Sequence, residues 1–259
     1  MTAYSAPVGA PIWFDLATND PVTAASFYNE VFGWAAEVAN TEFGGYQNFI
    51  LNGRRVAGMM PSMPNSGSPE NVWSVYLRTT DAAATSRAAA KAGGQVLVEP
   101  MKVGDEGTMA VFIDPAGAAI GAWESDTHTG FSEWGVPGAP YWFESLTLGQ
   151  SAAIPFYENV FAARAQAVEG APGNYTQLFW GDTSYAGIMD ASGMLAEGAP
   201  STWGVYITVD DVETTLQKVV DLGGTIIVGP DATPWGILAT VVDPLGAVIS
   251  IGKAPAESS

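Results

Sequence analysis

Phe27-Tyr28-Asn29-Glu30-Val31-Phe32 returns as Phe156-Tyr157-Glu158-Asn159-Val160-Phe161, an offset of 156 − 27 = 129, and this recurrence decides the architecture. At the same offset Trp13-Phe14-Asp15-Leu16 returns as Trp142-Phe143-Glu144-Ser145, and Ala57-Gly58-Met59-Met60 as Ala186-Gly187-Ile188-Met189. Asp114-Pro115-Ala116-Gly117-Ala118 returns as Asp243-Pro244-Leu245-Gly246-Ala247. Trp73-Ser74-Val75-Tyr76 matches Trp203-Gly204-Val205-Tyr206, one residue further out. A nearly constant offset along the whole chain marks a duplicated domain rather than a few chance words. Residues 1–126 and 139–259 are the expected domains. Residues 127–138, with Thr127-His128-Thr129-Gly130 and Gly135-Val136-Pro137-Gly138, read as the linker between them.

Each half divides again. Ile12 to Ala17 is a short apolar strand; Asp20 is a good helix N-cap, and Pro21 sits where its missing N–H is harmless. Ala24, Phe27, Tyr28, Val31 and Phe32 follow at helical spacing, and Gly33 ends the helix. Strands are expected around 35–38, 45–51 and 55–60, with Asn52-Gly53 as a hairpin turn. A second unit repeats the order: a strand over 72–77, a helix over 81–92 closed by Gly93-Gly94, then strands over 95–98, 109–113 and 119–123. The expected fold is therefore α+β. Tandem βαβββ modules run through it, two per domain and four in the chain, an order that the family resemblance described below assigns to cup-shaped open barrels. Pro155 falls inside the helix of the second half that matches 20–32, close enough to its start to be tolerated.

Composition excludes several functions. Nine lysines and arginines against 27 acids give a net charge of −18, a field that repels nucleic acid. The absence of cysteine removes disulfides, thiolate metal sites and a cysteine nucleophile. The N-terminus has neither a basic nor an apolar signal region, and every apolar run is short. A cytoplasmic protein is expected, a monomer or homodimer whose partner is a small molecule rather than a membrane or nucleic acid.

Four βαβββ units, a D-P-x-G turn before each half's closing strand and the repeated F-Y pair resemble the vicinal oxygen chelate superfamily. That superfamily holds glyoxalase I, extradiol dioxygenases, fosfomycin-resistance enzymes and bleomycin-resistance proteins. W-F-D-L-A-T-N-D-P and F-Y-x-x-V-F-G-W further resemble a four-module actinobacterial branch that includes a mycobacterial culture-filtrate antigen called a glyoxalase. The resemblance implies paired modules curling into cups, with any metal held by His, Gln or Glu on their first and last strands. In this chain those positions fall on Trp13, Ser74 and Gly121, and on Trp142, Gly204 and Ser250. The single histidine, His128, reads as an exposed linker residue. No metal and no cofactor are expected, because a divalent ion needs several converging imidazole or carboxylate donors.

Strand alternation places Trp13, Asp15 and Ala17 inside the first cup with Ser74, Tyr76, Arg78, Gly121 and Trp123. Trp142, Glu144, Leu146, Gly204, Tyr206, Thr208 and Ser250 line the second. Trp13, Tyr76, Arg78, Trp123, Trp142, Tyr206 and Ser250 are the candidate ligand contacts, with Arg78 able to pair with Asp15 or hold an anion. Asp15 and Glu144, acids kept beside tryptophan in both halves, are the candidate catalytic bases; equally, each could merely hold its sheet together by bonding backbone N–H groups or Tyr76 and Tyr206. Four functions compete. A metal-free binding protein for an aromatic or hydrophobic compound leads, for sequestration, resistance or a biosynthetic accessory role. A metal-independent isomerase, lyase or hydroxylase-type enzyme comes second, and a glyoxalase I third, its missing ligands against it. The fourth is an interaction protein whose cups are filled by their own side chains.

Overall fold

A computed structural model describes residues 4–62, 69–171, 173–195 and 198–254 of the chain. The first half runs β1 (Pro11–Thr18), α1 (Pro21–Phe32), β2 (Ala35–Ala36), β3 (Gln47–Leu51), β4 (Arg54–Pro61), β5 (Val72–Thr79), α2 (Ala82–Lys91), β6 (Gln95–Val103), β7 (Gly107–Ile113) and β8 (Ala119–Ser125). The second runs β9 (Pro140–Thr147), α3 (Gln150–Phe161), β10 (Arg164–Ala167), β11 (Tyr175–Trp180), β12 (Thr183–Asp190), β13 (Thr202–Thr208), α4 (Val212–Asp221), β14 (Thr225–Thr233), β15 (Gly236–Val242) and β16 (Val248–Lys253). Each half is one eight-stranded sheet, ordered β2-β3-β4-β1-β5-β8-β7-β6 and β10-β11-β12-β9-β13-β16-β15-β14. In the first sheet β1 pairs with β4 and β5 with β8, both parallel, and the antiparallel β1–β5 pair joins the modules. The second sheet repeats this with β12–β9, β13–β16 and β13–β9. The fold is α+β, built from open mixed sheets.

Local chemistry sets the helix ends. The Asp20 carboxylate accepts from the N–H groups of Val22 and Thr23, both at 3.1 Å, and Gly33 closes α1 in the left-handed region at φ 75°. Asp81 and Asp211 cap α2 and α4 in the same way. Helix α3 has no such cap, since Gly149 stands where a capping side chain would be, and it carries Pro155 internally. It persists because Ala153, Phe156, Tyr157 and Phe161 are buried. A buried aromatic contributes about 1.5–3 kcal/mol, and several together outweigh the roughly 3 kcal/mol of an interior proline. Two strand lengths differ from the sequence expectation. The first edge strand is only Ala35–Ala36, while β6 continues to Val103 through two bulges that break its alternation.

The core lies between the helix-bearing faces of the two sheets. Phe14 of β1 meets Phe143 of β9 at 5.9 Å between ring centroids, and Phe131 fills the space beside both. The repeated F-Y and D-P-x-G words interlock across this core. Tyr28 of α1 donates 2.9 Å to Asp243 in the β15–β16 turn, while Tyr157 of α3 donates 2.7 Å to Asp114 in the β7–β8 turn. Trp73 and Trp203 donate their indole N–H groups to these same tyrosines, at 3.1 and 2.7 Å. Each half thus supplies the tyrosine that satisfies the other half's buried turn aspartate.

Candidate ligand site: two cups of unequal filling

Alternation along β1 sends Phe14 and Leu16 into the core, leaving Trp13 and Asp15 on the opposite face, where the cup lies. Trp13 stands in register with Tyr76, and Asp15 with Gly58 and Ser74. The Trp13 indole N–H donates to the Tyr46 hydroxyl at 2.8 Å, and that hydroxyl lies 3.4 Å from Asp15 Oδ2. Tyr76 gives Asp15 a second phenol. Gly58 must be glycine here, because a Cβ would collide with the Tyr46 hydroxyl. At Gly121 a Cβ would strike the Tyr76 ring, and at Gly107 it would strike Trp123. The first cup is closed by its own side chains: Trp13 is 3% exposed and Trp123 7%. Burial pushes the Asp15 carboxyl up to about 7, against the pull of both phenols.

Two sequence expectations fail in this cup. His128 is not an exposed linker residue. It is buried with its ring edge-on to Trp13 at 4.3 Å, and its backbone carbonyl accepts from the Trp123 indole at 2.9 Å. Its Nε2 has no hydrogen-bond partner, and burial, with Arg55 nearby, pushes its pKa down to about 4. The linker composition around it concealed a short plug that lies over two tryptophans. Arg78 does not pair with Asp15 either. It reaches outward and donates 2.6 Å to the Ala6 carbonyl, tying down the segment before β1. Arg55 pairs with Glu106 at 3.1 Å, and Lys102 with Asp126.

The second cup repeats the frame with different contents. Trp142 donates 2.8 Å to the Tyr175 hydroxyl, and Tyr206 donates 2.8 Å to Glu144 Oε2. Tyr175 also bonds Glu144, whose carboxyl burial raises above its ordinary value. Gly187, in register with Glu144, makes room for Tyr175 as Gly58 does for Tyr46. Gly252 stands where the first half has Trp123, and Gly204 where it has Ser74, while position 257, which matches His128 at the repeat offset, lies outside the described residues. Tyr141 leans over Gly252, its buried hydroxyl without a hydrogen-bond partner. Around Gly204 no atom lies within 4 Å of where a Cβ would be. Trp142, Tyr206 and Ser250 are half-buried rather than sealed, Ser250 bonded to Thr240 at 2.9 Å. Trp235, in the β14–β15 turn, is 41% exposed, with its ring 6.1 Å from Tyr175. Two open crevices of about 270 and 380 Å³ lie outside the cups, around α4, and include none of the paired tryptophan, acid or tyrosine side chains.

Sequence reasoning missed Tyr46, Tyr141, Tyr175 and Trp235. A signal existed for one pair, since 175 − 46 = 129 places Tyr46 and Tyr175 at the repeat offset. The donor set can also be tested against a metal. Each cup offers one carboxylate, already held by two phenols, and the first- and last-strand positions carry Trp, Ser and Gly. Among the described residues no three His, Cys, Asp or Glu side chains converge. That set does not fit a divalent cation.

Residues 11–121 and 149–251 match the family model described as Glyoxalase/Bleomycin resistance protein/Dioxygenase superfamily. The chain belongs to this superfamily. It is 38% identical to the "Anthracycline biosynthesis protein DnrV" of Streptomyces peucetius, over 94% of this chain and 92% of that one. It is 36% identical to "Putative glyoxylase CFP32" of Mycobacterium tuberculosis, over 95% of each. Among solved structures, the Mn(II)-bound glyoxalase of Novosphingobium aromaticivorans superposes with a TM-score of 0.66 at 18% identity, covering 96% of this chain and 83% of that one. That likeness concerns the fold alone, and a superfamily fold does not fix the chemistry.

Proposed function

We propose that this member of the superfamily has lost its ancestral metal ligands and binds a small planar hydrophobic molecule in the cup of its second half. The observation that carries the reading is the unequal filling. One cup is filled by Trp123 and His128, while the other has Gly252 in place of Trp123 and, among the described residues, unfilled space at Gly204 beside its acid. Apolar walls with a few convergent polar groups are the usual make-up of a ligand pocket. Stacking on Trp142 and Trp235 would supply affinity, and Glu144 with the Tyr141 hydroxyl would supply orientation. A relative named for anthracycline biosynthesis favours a polycyclic aromatic compound, sequestered or assisted through a step of its formation. The test is a fluorescence titration with such compounds. We expect saturable tryptophan quenching that Trp142→Ala abolishes; quenching unchanged in that variant would refute the reading.

One observation favours a second reading, a metal-independent enzyme. Glu144 is a buried carboxyl beside phenols, the environment that tunes a general base toward neutral pH. Asp15 has a similar environment, but behind the plug of the first cup. A base acting on a bound substrate is therefore better assigned to Glu144.

A further inference from the structure

We infer that Gly204 determines which molecules the second cup accepts: its missing side chain leaves a slot beside Glu144 for the edge of a planar ring carrying a hydroxyl group. The inference rests on the binding role proposed above and names the class of ligand. Gly204 differs from the other glycines on this face. Gly187 and Gly252 are required by tyrosines that already occupy the space where a Cβ would stand, and so are Gly58 and Gly121 in the first cup. Gly204 is opposed by nothing and its φ is not in the left-handed region, so neither sterics nor backbone demands glycine there. An interior strand glycine with no local reason is destabilising and often marks a place where a ligand approaches.

The slot has a defined polar wall. Gly204 is in register with Glu144, and Tyr206, two residues on along β13, lies on the same face in register with Trp142. An ionised carboxylate has about four acceptor sites, and the two tyrosines that bond Glu144 use two of them. Another donor can therefore be received, and among the described residues no protein atom lies within 4 Å of where a Cβ on Gly204, the register partner of Glu144, would stand. The Tyr141 hydroxyl, buried and without a hydrogen-bond partner among the described residues, lies on the same cup face beside Tyr206. A flat ring system with hydroxyl and carbonyl groups on one edge answers all three features.

The experiment uses the full-length protein with two probes, quinizarin (a dihydroxyanthraquinone) and unsubstituted anthraquinone. Wild type should bind quinizarin about ten-fold or more tighter than anthraquinone. Gly204→Val should weaken quinizarin about ten-fold or more while leaving the melting temperature unchanged, because valine suits a strand and meets no atom. Gly204→Ser, which restores the residue of the first half, should give an intermediate loss and carries the test if valine perturbs folding. Ser74→Val in the plugged cup should change nothing. Full quinizarin affinity in both Gly204 variants, or equal affinity for the two probes, overturns the inference. If binding nonetheless disappears in Trp142→Ala, the proposed function survives that outcome. Absence of saturable binding of either probe to wild type refutes the two together.

Discussion

Replacing Tyr157 by phenylalanine removes one hydroxyl and leaves two buried groups without partners. The hydroxyl donates 2.7 Å to Asp114 Oδ2 and accepts 2.7 Å from the Trp203 indole, both within the core between the halves. Asp114 cannot compensate by turning, because its Oδ1 already accepts from the N–H groups of Ala116 and Ala118 at 2.8 and 3.0 Å. Each orphaned buried group costs about 1–3 kcal/mol, with a charged acceptor toward the upper end. The expected loss is about 2–5 kcal/mol, which for a chain of this size lowers the melting temperature by roughly 5–15 °C. Urea unfolding, followed separately by tryptophan fluorescence and far-ultraviolet circular dichroism, measures it. Because the tyrosine belongs to one half and the aspartate to the other, both probes should shift together in one transition. A loss below about 0.5 kcal/mol would refute the interlock as a source of stability. So would a biphasic transition in the wild type.

The other predictions concern the cups. Elemental analysis of the purified protein should find no stoichiometric Mn, Fe, Ni or Zn; about one metal per half, lost with function on chelation, would contradict the donor-set argument. Asp15 and His128 should affect the pH dependence of stability in opposite senses. The folded Asp15 carboxyl titrates near 7 instead of 3.8, so the folded state holds the extra proton and stability falls as pH rises from about 4 to about 7. Folded His128 titrates near 4 instead of 6.5, so stability falls in the other direction, as pH drops from about 6.5 to about 4. Asp15→Asn should therefore reduce the decline toward neutral pH, leaving the part that the raised Glu144 carboxyl contributes, and His128→Gln should reduce the decline toward acid. Melting curves across that range that keep the wild-type slope in either variant would count against the buried environment described for that residue.

The duplication and the four modules were legible because the words that repeat are those the fold cannot vary. Tyr28 with Asp243 and Tyr157 with Asp114 join the two copies, so a change in one copy is answered in the other. Alternation was enough to give the facing of Trp13, Asp15, Trp142 and Glu144, since β1 and β9 have no bulge between these residues. His128 was not legible. Its neighbours are the small and polar residues of a linker, and what buries it is two tryptophans on distant strands. Of the two roles open to Arg78, pairing with Asp15 does not occur: alternation gives a side chain's face and not its reach, and its guanidinium donates to the Ala6 carbonyl.

The two cups are under different constraints from the core between them. Each half must present a tyrosine and a turn aspartate to the other, and both halves keep them. Inside the cups, the tryptophan-to-tyrosine bond and the acid-to-tyrosine contact are also kept in both, together with the glycine that makes room for them. Beyond this frame the copies differ at Trp123 against Gly252 and at Ser74 against Gly204. Closing the first cup buries an acid and an imidazole nitrogen without a partner, both unfavourable, and tight packing of Trp13, Tyr76 and Trp123 must offset them. The second cup keeps a comparably buried acid, Glu144, yet it leaves space at Gly204 and a tyrosine hydroxyl unsatisfied. A cup packed on its own side chains fills its space as the first does with Trp123, where the second has Gly252. An occupant from solution, as proposed above, would fill that space, and on that proposal the divergence between two copies of one frame follows from binding rather than from packing.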